Sequence, residues 1–315
     1  MIRGALRQTL QWLATDEHAR RCGERIPVPP GLLARFLGGP DPRSAAVTAA
    51  GVLATGRHVT VAALAGPALS PAQASETRDA YLAVLRALAE AELTEHGRAE
   101  VSVSLPSLGQ GLGRDGERLA LDHAREICRA AATVGTTVTL DMEDHTTTDP
   151  TLEALRELRR DFPWVGVVLQ AQLRRTEEDA RDLAYPGSRV RLCKGSPVEP
   201  ASVAYRDPTE VSRSFVRCLR LLLAGPGQPL IATHDQVLLD IAGALAVRNH
   251  RPQGSYEYQM LQGIRVQEQE RLIEQGEAVR VYLPFGREWY GYLLYRLAER
   301  PRTAGLLLRS VLARP

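Results

Sequence analysis

Residues 165–194, VGVVLQAQLRRTEEDARDLAYPGSRVRLCK, join two short β-branched runs through a stretch rich in arginine and acidic residues. The runs Val165–Gln170 and Arg189–Leu192 are too short for helices and indicate buried strands. A strand, a helical stretch and a second strand in this order are typical of a parallel βαβ unit whose helices cover the sheet. This segment therefore predicts an α/β fold.

The same alternation extends in both directions. Eight strands are predicted, at His58–Leu64, Glu100–Leu105, Thr137–Met142, Val165–Gln170, Arg189–Leu192, Leu230–Thr233, Tyr256–Leu261 and Val279–Leu283. Apolar residues recur at helical spacing in Ala72–Glu95, Arg118–Val134 and Thr209–Leu223. Eight strands close a (β/α)8 barrel, so we predict one over residues 57–315, after an N-terminal helical segment over residues 1–56. A last helix, Tyr290–Arg300, should end at Pro301.

Bulk composition excludes several classes of function. The net charge is only +2 and acidic and basic residues are interspersed, so no surface is organised for nucleic acid. No apolar run approaches the roughly 18 residues of a membrane span, and the N-terminus lacks the apolar stretch of a signal peptide. Four cysteines (Cys22, Cys128, Cys193 and Cys218) form no CxxC pair, which argues against zinc and disulfide frameworks. We expect a cytoplasmic protein without stable membrane insertion.

Lysine usage draws attention to one position. All but one of the 39 basic residues are arginine, and the exception is Lys194. This exception favours a site that requires a compact ammonium group rather than a planar guanidinium; a lysine that survived by chance on the surface is the alternative. Lys194 directly follows a predicted strand, where binding groups often lie.

Polar side chains stand at the carboxyl ends of most predicted strands, where barrel enzymes place their chemistry. They are Ser104, Asp141–Asp144, Gln170, Arg191, Lys194, Thr233, His234, Asp235, Gln259 and Tyr282, with the apolar Leu261 beside them. Two alternatives stay open at this point. The Asp141–Asp144 segment is also a candidate helix N-cap, and His234 is also a candidate core histidine.

Four segments resemble proline dehydrogenases. Val190–Ser196 (VRLCKGS) is similar to the family's VRLVKGA, and Ile231–Asp235 (IATHD) to its ATHN or ATHD. Tyr256–Arg265 (YEYQMLQGIR) resembles FEFQMLYGIR, and Arg280–Pro301 resembles RVYVPYGxDWYPYxMRRLAERP. Thr139–Asp144 and Val167–Thr176 also fit. The resemblance implies a distorted (β/α)8 barrel that holds FAD noncovalently, oxidises L-proline to pyrroline-5-carboxylate by hydride transfer to flavin N5, and passes electrons to a quinone.

The resemblance also assigns roles to individual residues. Arg191 would lie near flavin N5, Gln170 and Gln259 would bond the ring or ribityl chain, and Lys194 with Gly195 would lie beside the flavin. The remaining cofactor positions would be Thr233, His234 and Glu299. The substrate pocket would be formed by Asp141, Leu261, Tyr282 and Arg296. No metal site is expected.

The chain departs from the family at the residues that hold the substrate carboxylate, which we call the cationic clamp. The family clamp is one lysine and two arginines; here Ser104 replaces the lysine and Tyr295 the first arginine, while Arg296 remains. Pro197 replaces a family tyrosine. Loss of one cation from a buried clamp commonly costs a few kcal/mol, so free proline should be a poor substrate. We expect the substrate to be a cyclic or secondary amine without a free carboxylate, with specialised metabolism as one setting.

Three alternatives remain. An ordinary proline dehydrogenase would need a replacement cation, for which Arg174, Arg175 and Arg265 are the candidates. A flavin-binding pseudoenzyme would keep the fold for a protein interaction. A metal-dependent hydrolase would use Asp141, Glu143, His145 and His234, although no HxH or HExxH motif accompanies them. The electron acceptor is open between a quinone, oxygen and a soluble carrier, and a quinone would place the protein at the membrane periphery. Tyr282, Tyr292 and Tyr295 could make the pocket aromatic, with Tyr295 either stacking on a substituent or only filling the volume of the lost arginine.

Overall fold

The computed structural model describes residues 30–196, 198–290 and 292. Eight strands lie in this part of the chain: β1 (His58–Ala63), β2 (Ala99–Val103), β3 (Val138–Leu140), β4 (Gly166–Gln170), β5 (Arg189–Cys193), β6 (Gln228–Ala232), β7 (Glu257–Leu261) and β8 (Val279–Phe285). Each falls on a predicted strand, and the ends differ by a few residues. The predicted strand pattern is confirmed.

The strands form one closed parallel barrel. They pair in sequence order, and β8 returns to pair with β1. The register places Thr60 of β1 opposite both Glu100 of β2 and Tyr282 of β8. Side chains of paired residues in parallel strands point to the same face, and these three point into the barrel. The predicted (β/α)8 architecture is confirmed.

Helices surround the barrel: α1 (Pro30–Ala34), α2 (Pro42–Leu53), α3 (Pro71–Glu90), α4 (Gly116–Thr133), α5 (Thr148–Asp161), α6 (Thr176–Asp182), α7 (Pro208–Ala224), α8 (Gln236–Arg248) and α9 (Val266–Glu274). Three of them begin in the same way, with an N-cap residue whose side chain accepts a backbone N–H, followed by proline. The caps are Asp41, Ser70 and Asp207. The cap satisfies an otherwise unpaired N–H, and proline supplies a φ angle suited to the first helical turn.

The main apolar core lies between the strands and the helices. Val61, Val101 and Leu140 on the outer faces of the strands are buried in one cluster with Leu85 of α3 and Phe215 of α7. Helix α2 contributes to the same cluster. The boundary at residue 56 between a helical segment and the barrel stays a prediction, since residues 1–29 lie outside the described chain.

Helix α3 ends before its predicted limit at Glu95. The N–H of Glu92 bonds the carbonyl of Ala89, and the N–H of Leu93 bonds that of Leu88. These two bonds form a Schellman motif, with Glu92 in the left-handed region at φ 57°. Glycine usually marks this position, so the sequence carried no signal for the end of the helix. Of the predicted last helix, only residues 290 and 292 are described.

Gly166 is a close-packed point inside the barrel wall. A Cβ there would lie 2.9 Å from Oγ1 of Thr139, its partner on β3. Gly51, in contrast, lies in α2 with nothing within 4 Å of its Cβ position. The two glycines therefore make a matched pair for testing the barrel packing.

We expect Gly166→Ala to destabilise the fold by about 1–3 kcal/mol, because Thr139 cannot move away without disturbing its buried neighbours. Gly51→Ala should instead stabilise it by about 0.5–1 kcal/mol, because alanine loses less backbone entropy on folding. Urea denaturation of both variants measures the difference. Equal effects at the two positions would contradict the close packing at Gly166.

Candidate active site

The barrel interior is built around a fully buried carboxylate. Glu100 of β2 is 0% exposed. It accepts hydrogen bonds from Nη2 of Arg189 at 2.7 Å and from Nη2 of Arg191 at 3.3 Å, and Nε of Arg280 lies 3.9 Å away. Thr60 donates to the same carboxylate at 2.8 Å. Two other strands, β5 and β8, thus bring three guanidinium groups to one carboxylate.

Burial is the largest influence on Glu100 and by itself raises the pKa of its carboxyl group. The positive charges of Arg189, Arg280 and Arg191 outweigh it, and the pKa lies well below its usual range. Glu100 is therefore ionised throughout the neutral range. An unpaired charge at this depth would be very costly, so Glu100 and its arginines hold one another in place.

A second carboxylate continues the network toward β7 and β8. Glu257 accepts from Nε of Arg280 at 2.7 Å and from the amide of Gln259. The amide oxygen of Gln259 in turn accepts from Nε of Arg191. Both polar groups of the Gln259 side chain are thus engaged inside the barrel, with Glu257 below and Arg191 above.

Arg191 carries the network to the carboxyl ends of the strands, which form the mouth of the barrel. Its Nη1 donates to Oγ of Ser102 at 2.8 Å and to Oδ1 of Asp141 at 2.9 Å. Ser102 also donates to Oδ1 of Asp141 at 2.8 Å. The hydroxyl of Tyr282 donates to Oδ2 of Asp141 at 3.0 Å, and the Arg191 guanidinium lies 5.5 Å from the Tyr282 ring centroid.

The surroundings of Tyr282 keep its hydroxyl group protonated. Burial first, and then the negative charge of Asp141, raise the pKa of Tyr282 well above its ordinary value of 10.0. Tyr282 therefore keeps its proton and acts as a donor to Asp141. The predicted residues Asp141, Arg191 and Tyr282 lie together in one hydrogen-bonded group.

Gln170 ends β4 at the same mouth and is 4% exposed. Its Nε2 donates to the carbonyl oxygens of Met142 at 3.0 Å and Glu143 at 2.7 Å. Its Oε1 is buried and, within the described chain, has no partner. An orphaned buried acceptor costs free energy unless a ligand or water supplies a donor.

Lys194 and Gly195 follow β5. Nζ of Lys194 donates to Oδ2 of Asp235 at 2.8 Å, and both side chains are about one third exposed. This hydrogen bond is the largest influence that lowers the pKa of Asp235. Gly195 has a φ of 97°, and a Cβ there would lie 2.5 Å from the Gln172 side chain. Only glycine fits the turn that places Lys194 at the rim.

Thr233 and His234 follow β6. Oγ1 of Thr233 accepts from the N–H of Asp235 at 3.1 Å, and Nε2 of His234 accepts from the N–H of Leu261 at 3.0 Å. His234 is half-buried and ties the end of β6 to the end of β7, and its cofactor role stays a prediction from the resemblance. The N-cap alternative holds in part, because Asp144 caps a short turn by accepting from the N–H of Thr146 at 2.8 Å.

Ser104, which the resemblance matches to a family lysine, lies at the end of β2. Its Oγ donates to Oε1 of Glu143 at 2.7 Å. Part of the Glu143 side chain is exposed to solvent. Neighbouring protein atoms still remove much of the water around its carboxyl group, and this desolvation is the largest influence that raises its pKa. The negative charges of Asp141 and Asp144 raise it further. A hydroxyl group bonded to a carboxyl group therefore lies at position 104, which the resemblance matches to a family cation.

The proposed replacement cations are all engaged elsewhere. Arg174 donates to the carbonyl of Ala201 and stacks on Tyr205 at 4.6 Å. Arg175 pairs with Asp149 at 2.6 Å and with Asp179 at 2.9 Å.

Arg265 donates to the carbonyl of His234 at 2.7 Å and to the amide oxygen of Gln236. Its guanidinium group is thereby held between the β6 and β7 ends. None of the three arginines points a free guanidinium group at Ser104.

The four residues of the hydrolase hypothesis do not converge. Asp141 is held by Ser102, Arg191 and Tyr282 as described, Glu143 by Ser104, and His145 by Glu199 on another loop. Within residues 30–196, 198–290 and 292, no group of three or more His, Cys, Asp or Glu side chains is placed to hold a metal ion.

Several predicted site residues lie outside the described residues: Pro197, Tyr295, Arg296 and Glu299. Tyr292 is described and packs with Trp289 against Phe36, Leu37 and Ile264, in a small cluster that also includes Leu261. Leu261 therefore joins the mouth to the segment that follows β8.

Sequence reasoning missed the lower half of the network, namely Glu100, Ser102, Arg189, Glu257 and Arg280. A signal was present. In β2, β5, β7 and β8, polar or charged residues recur at every second position within otherwise apolar strands, as in Glu257 and Gln259. This period-2 pattern marks one face of a strand, and here that face lines the barrel interior.

Comparisons with known proteins agree with the motifs. The family model for proline dehydrogenase matches residues 46–305. The proline dehydrogenase of Deinococcus radiodurans is 38% identical over 245 residues, which cover 77% of this chain and 78% of that protein. Proline dehydrogenase 2 of Bacillus subtilis is 34% identical over 296 residues, 94% of each chain. The chain belongs to the proline dehydrogenase family.

Solved structures share the fold of this proline dehydrogenase family member. Proline utilization A (PutA) from Bdellovibrio bacteriovorus, inactivated by N-propargylglycine, superposes with a TM-score of 0.78 over 90% of this chain at 24% identity. PutA from Bradyrhizobium japonicum gives 0.69 over 87% at 18% identity. The chain spans 34% and 31% of the length of these two proteins, about a third of each.

Family membership settles the reaction class. The chain is an oxidoreductase that acts on a CH–NH group, as its motifs predicted, and it requires a small-molecule substrate and an electron acceptor. No helix within the described residues combines the length and the apolar composition that a membrane crossing needs.

The buried network should dominate stability. We expect Glu100→Gln to destabilise the fold by about 3–5 kcal/mol, because it leaves Arg189 and Arg191 buried without their shared counter-charge. Guanidinium chloride denaturation measures this loss. Glu153→Gln is the control, because Glu153 pairs with Arg156 in an exposed i,i+3 pair that should be worth about 1 kcal/mol or less.

The same carboxylate predicts an acid dependence. Because the folded pKa of Glu100 is lowered from 4.5, its stabilisation is complete above pH 4.5 and is lost as the pH falls below that value. The free energy of unfolding should therefore fall more steeply below pH 4.5 in the wild type than in Glu100→Gln. Parallel acid limbs for the two proteins would show that Glu100 does not carry this dependence.

Proposed function

We propose that this protein is an FAD-dependent dehydrogenase that oxidises the C–N bond of a proline-like cyclic or secondary amine to an imine. We further propose that the substrate lacks a free carboxylate at the position where proline has one. The observation that carries this second point is the 2.7 Å hydrogen bond between Ser104 and Glu143. The negative charge of Glu143 at the mouth would repel a substrate carboxylate, whereas the lysine that the resemblance places at position 104 would attract it.

The residues at the mouth fit a flavin. The orphaned Oε1 of Gln170 needs a donor, and an isoalloxazine ring carries an N–H group beside its carbonyls. Arg191 supplies a fixed positive charge at the same mouth, where it bonds Asp141. Lys194, Gly195, Thr233 and His234 line the rim, where a hydroxyl group, an ammonium group and a glycine backbone suit a diphosphate chain. Glu299 completes the expected set.

Each residue would contribute to binding in a defined way. FAD, when bound, would supply the acceptor for the hydride removed from the carbon next to nitrogen. Gln170 would accept from the ring, and Arg191 would stabilise negative charge that develops during reduction. Gln259 would act through Arg191, because both groups of its own amide are already engaged.

On the substrate side, Asp141 would accept a hydrogen bond from the amine through the carboxylate lone pair that Ser102, Arg191 and Tyr282 leave free. Tyr282 keeps its phenolic proton and donates a hydrogen bond to Asp141. Tyr282 would therefore orient the carboxylate rather than remove a proton from the substrate. Leu261 and Arg296 would complete the pocket. Lys194 would remain on the cofactor side, since its ammonium group pairs with Asp235.

We expect FAD to be held noncovalently. Of the cysteines that the structure describes, Cys193 lies nearest the mouth, and burial raises the pKa of its thiol to about 11. The thiol is therefore protonated at neutral pH and is a weak nucleophile. Acid precipitation of the protein should release the whole yellow chromophore into the supernatant.

Oxidation of L-proline itself is the second candidate. It is favoured by the names of the relatives, which are proline dehydrogenases at 33–38% identity. Against it stands the engagement of Arg174, Arg175 and Arg265 with other partners. Arg296 would then be the one family clamp residue retained.

The deciding experiment is an absorbance spectrum of the purified protein, followed by anaerobic addition of L-proline, L-proline methyl ester or L-prolinamide. We expect flavin bands that the two carboxylate-masked amines bleach and that saturating L-proline leaves largely oxidised. Rapid bleaching by L-proline would favour the second candidate. Absence of flavin bands, with none restored by added FAD, would overturn the assignment.

A variant tests the cause of the altered preference. Ser104→Lys places a cation next to Glu143 at the end of β2, so it should raise kcat/KM for L-proline relative to L-proline methyl ester by about tenfold or more. Ser104→Ala is the matched control, because it removes the hydroxyl group without adding charge. Steady-state assays with an artificial quinone give both ratios. An unchanged ratio in Ser104→Lys would separate this position from carboxylate recognition.

The electron acceptor is proposed to be a quinone, oxygen or a soluble carrier. Reoxidation of the reduced protein in air, compared with reoxidation by a quinone under nitrogen, separates the first two. A place in specialised metabolism, a cytoplasmic location and a peripheral membrane contact stay predictions from the sequence.

A further inference from the structure

Glu143 is held more firmly than a residue at an open rim needs to be. Its Oε1 accepts from Ser104 at 2.7 Å, and its backbone carbonyl oxygen accepts from Nε2 of Gln170 at 2.7 Å. The same Gln170 amide also holds the preceding carbonyl of Met142 at 3.0 Å. Contacts from the ends of β2 and β4 therefore hold the side chain and the backbone of Glu143, respectively, beside the mouth.

The other acidic groups near it are already engaged. Asp141 accepts from Ser102, Arg191 and Tyr282, and Asp144 accepts from the N–H and hydroxyl groups of Thr146. Within the part of the chain that the structure describes, no ion pair joins Glu143 to a lysine, arginine or histidine. Its hydrogen-bond partner is the neutral Ser104.

The Ser104–Glu143 pair presents acceptor atoms to the mouth. The hydroxyl proton of Ser104 is used in the bond to Oε1, so the lone pairs of the serine oxygen and the other carboxyl oxygen of Glu143 remain. An ionised carboxyl group can accept about four hydrogen bonds in all. A complementary ligand group must therefore bring N–H donors.

We propose that the Ser104–Glu143 pair recognises a carboxamide N–H on the substrate, so that the substrate class is proline-like amines whose carboxyl group is masked as an amide. This inference rests on the proposed oxidation of a cyclic amine at this mouth and names its substituent. A carboxylate or an ester offers only acceptors to the pair, whereas a carboxamide offers donors. Glu143 is then a specificity-determining residue.

Binding of compounds that cannot be oxidised separates recognition from turnover. Tetrahydrofuran-2-carboxamide and methyl tetrahydrofuran-2-carboxylate have oxygen in place of the ring nitrogen, so neither can form an imine. Titration calorimetry with the FAD-loaded protein should give a dissociation constant for the amide that is about ten- to hundredfold lower than for the ester, as expected for hydrogen bonds to a charged acceptor.

Variants assign the preference to Glu143. Glu143→Leu keeps the size of the side chain and removes the acceptor, so the amide-to-ester ratio should fall to about one. Asp144→Asn is the matched control, because it removes a neighbouring charge from the same loop while retaining a cap for Thr146, and its ratio should match the wild type. A circular dichroism melt of each variant reports whether the fold is kept.

The outcomes are distinct. Equal binding of amide and ester to the wild type, or an unchanged ratio in Glu143→Leu, overturns the inference even if cyclic amines bleach the flavin. Glu143-dependent binding of the amide, with no bleaching by any amine, supports the recognition and overturns the proposed oxidation. Should Glu143→Leu fail to fold, an unchanged ratio in Glu143→Gln and Ser104→Ala together would equally overturn it.

Discussion

A closed barrel can enclose charged side chains only if each of them finds a counter-charge inside it, and Glu100 is the residue at which this requirement is met. Its carboxylate bonds Arg189 and Arg191 and lies near Arg280. Because Glu100 lies on β2 and its partners lie on β5 and β8, these contacts cross the barrel. Interiors of such barrels are usually filled with branched apolar residues, and here an ionic network takes their place.

The network has a direction. At its lower end Arg280 and Glu257 pair with one another, and at its upper end Arg191 reaches Asp141 beside Tyr282. Each guanidinium is planar and bonds in a fixed geometry, so the buried residues Glu100 and Gln259 set the orientation of Arg191 from below. Residues at the centre of the barrel therefore fix the position of the positive charge that Arg191 brings to the mouth.

Fewer buried ion pairs hold the rim above this network. Ser104, one of the residues at which the resemblance predicts a departure from the family, lies at this rim. Ser104 and Glu143 bond to each other at the ends of neighbouring strands without any link to the central arginines. A change from lysine to serine at such a position alters the charge offered to a ligand and leaves the buried pairs intact. This separation would allow the substrate side to change while the cofactor side is kept.

The sequence by itself determined the barrel, the family and the polar strand ends, because alternating apolar runs and the segments around Lys194, His234 and Gln259 are local signals. It did not show that Glu100 and Arg189 meet, because they lie 89 positions apart and only closure of the barrel brings their strands together. Nor did it show that Gln259 is consumed within the network or that His234 ties two strand ends. The family resemblance predicts that Ser104 stands in place of a cation. Only the tertiary structure decided that Glu143 is the partner of Ser104, because hydrogen bonding depends on distance in space and the two residues lie on different strand ends.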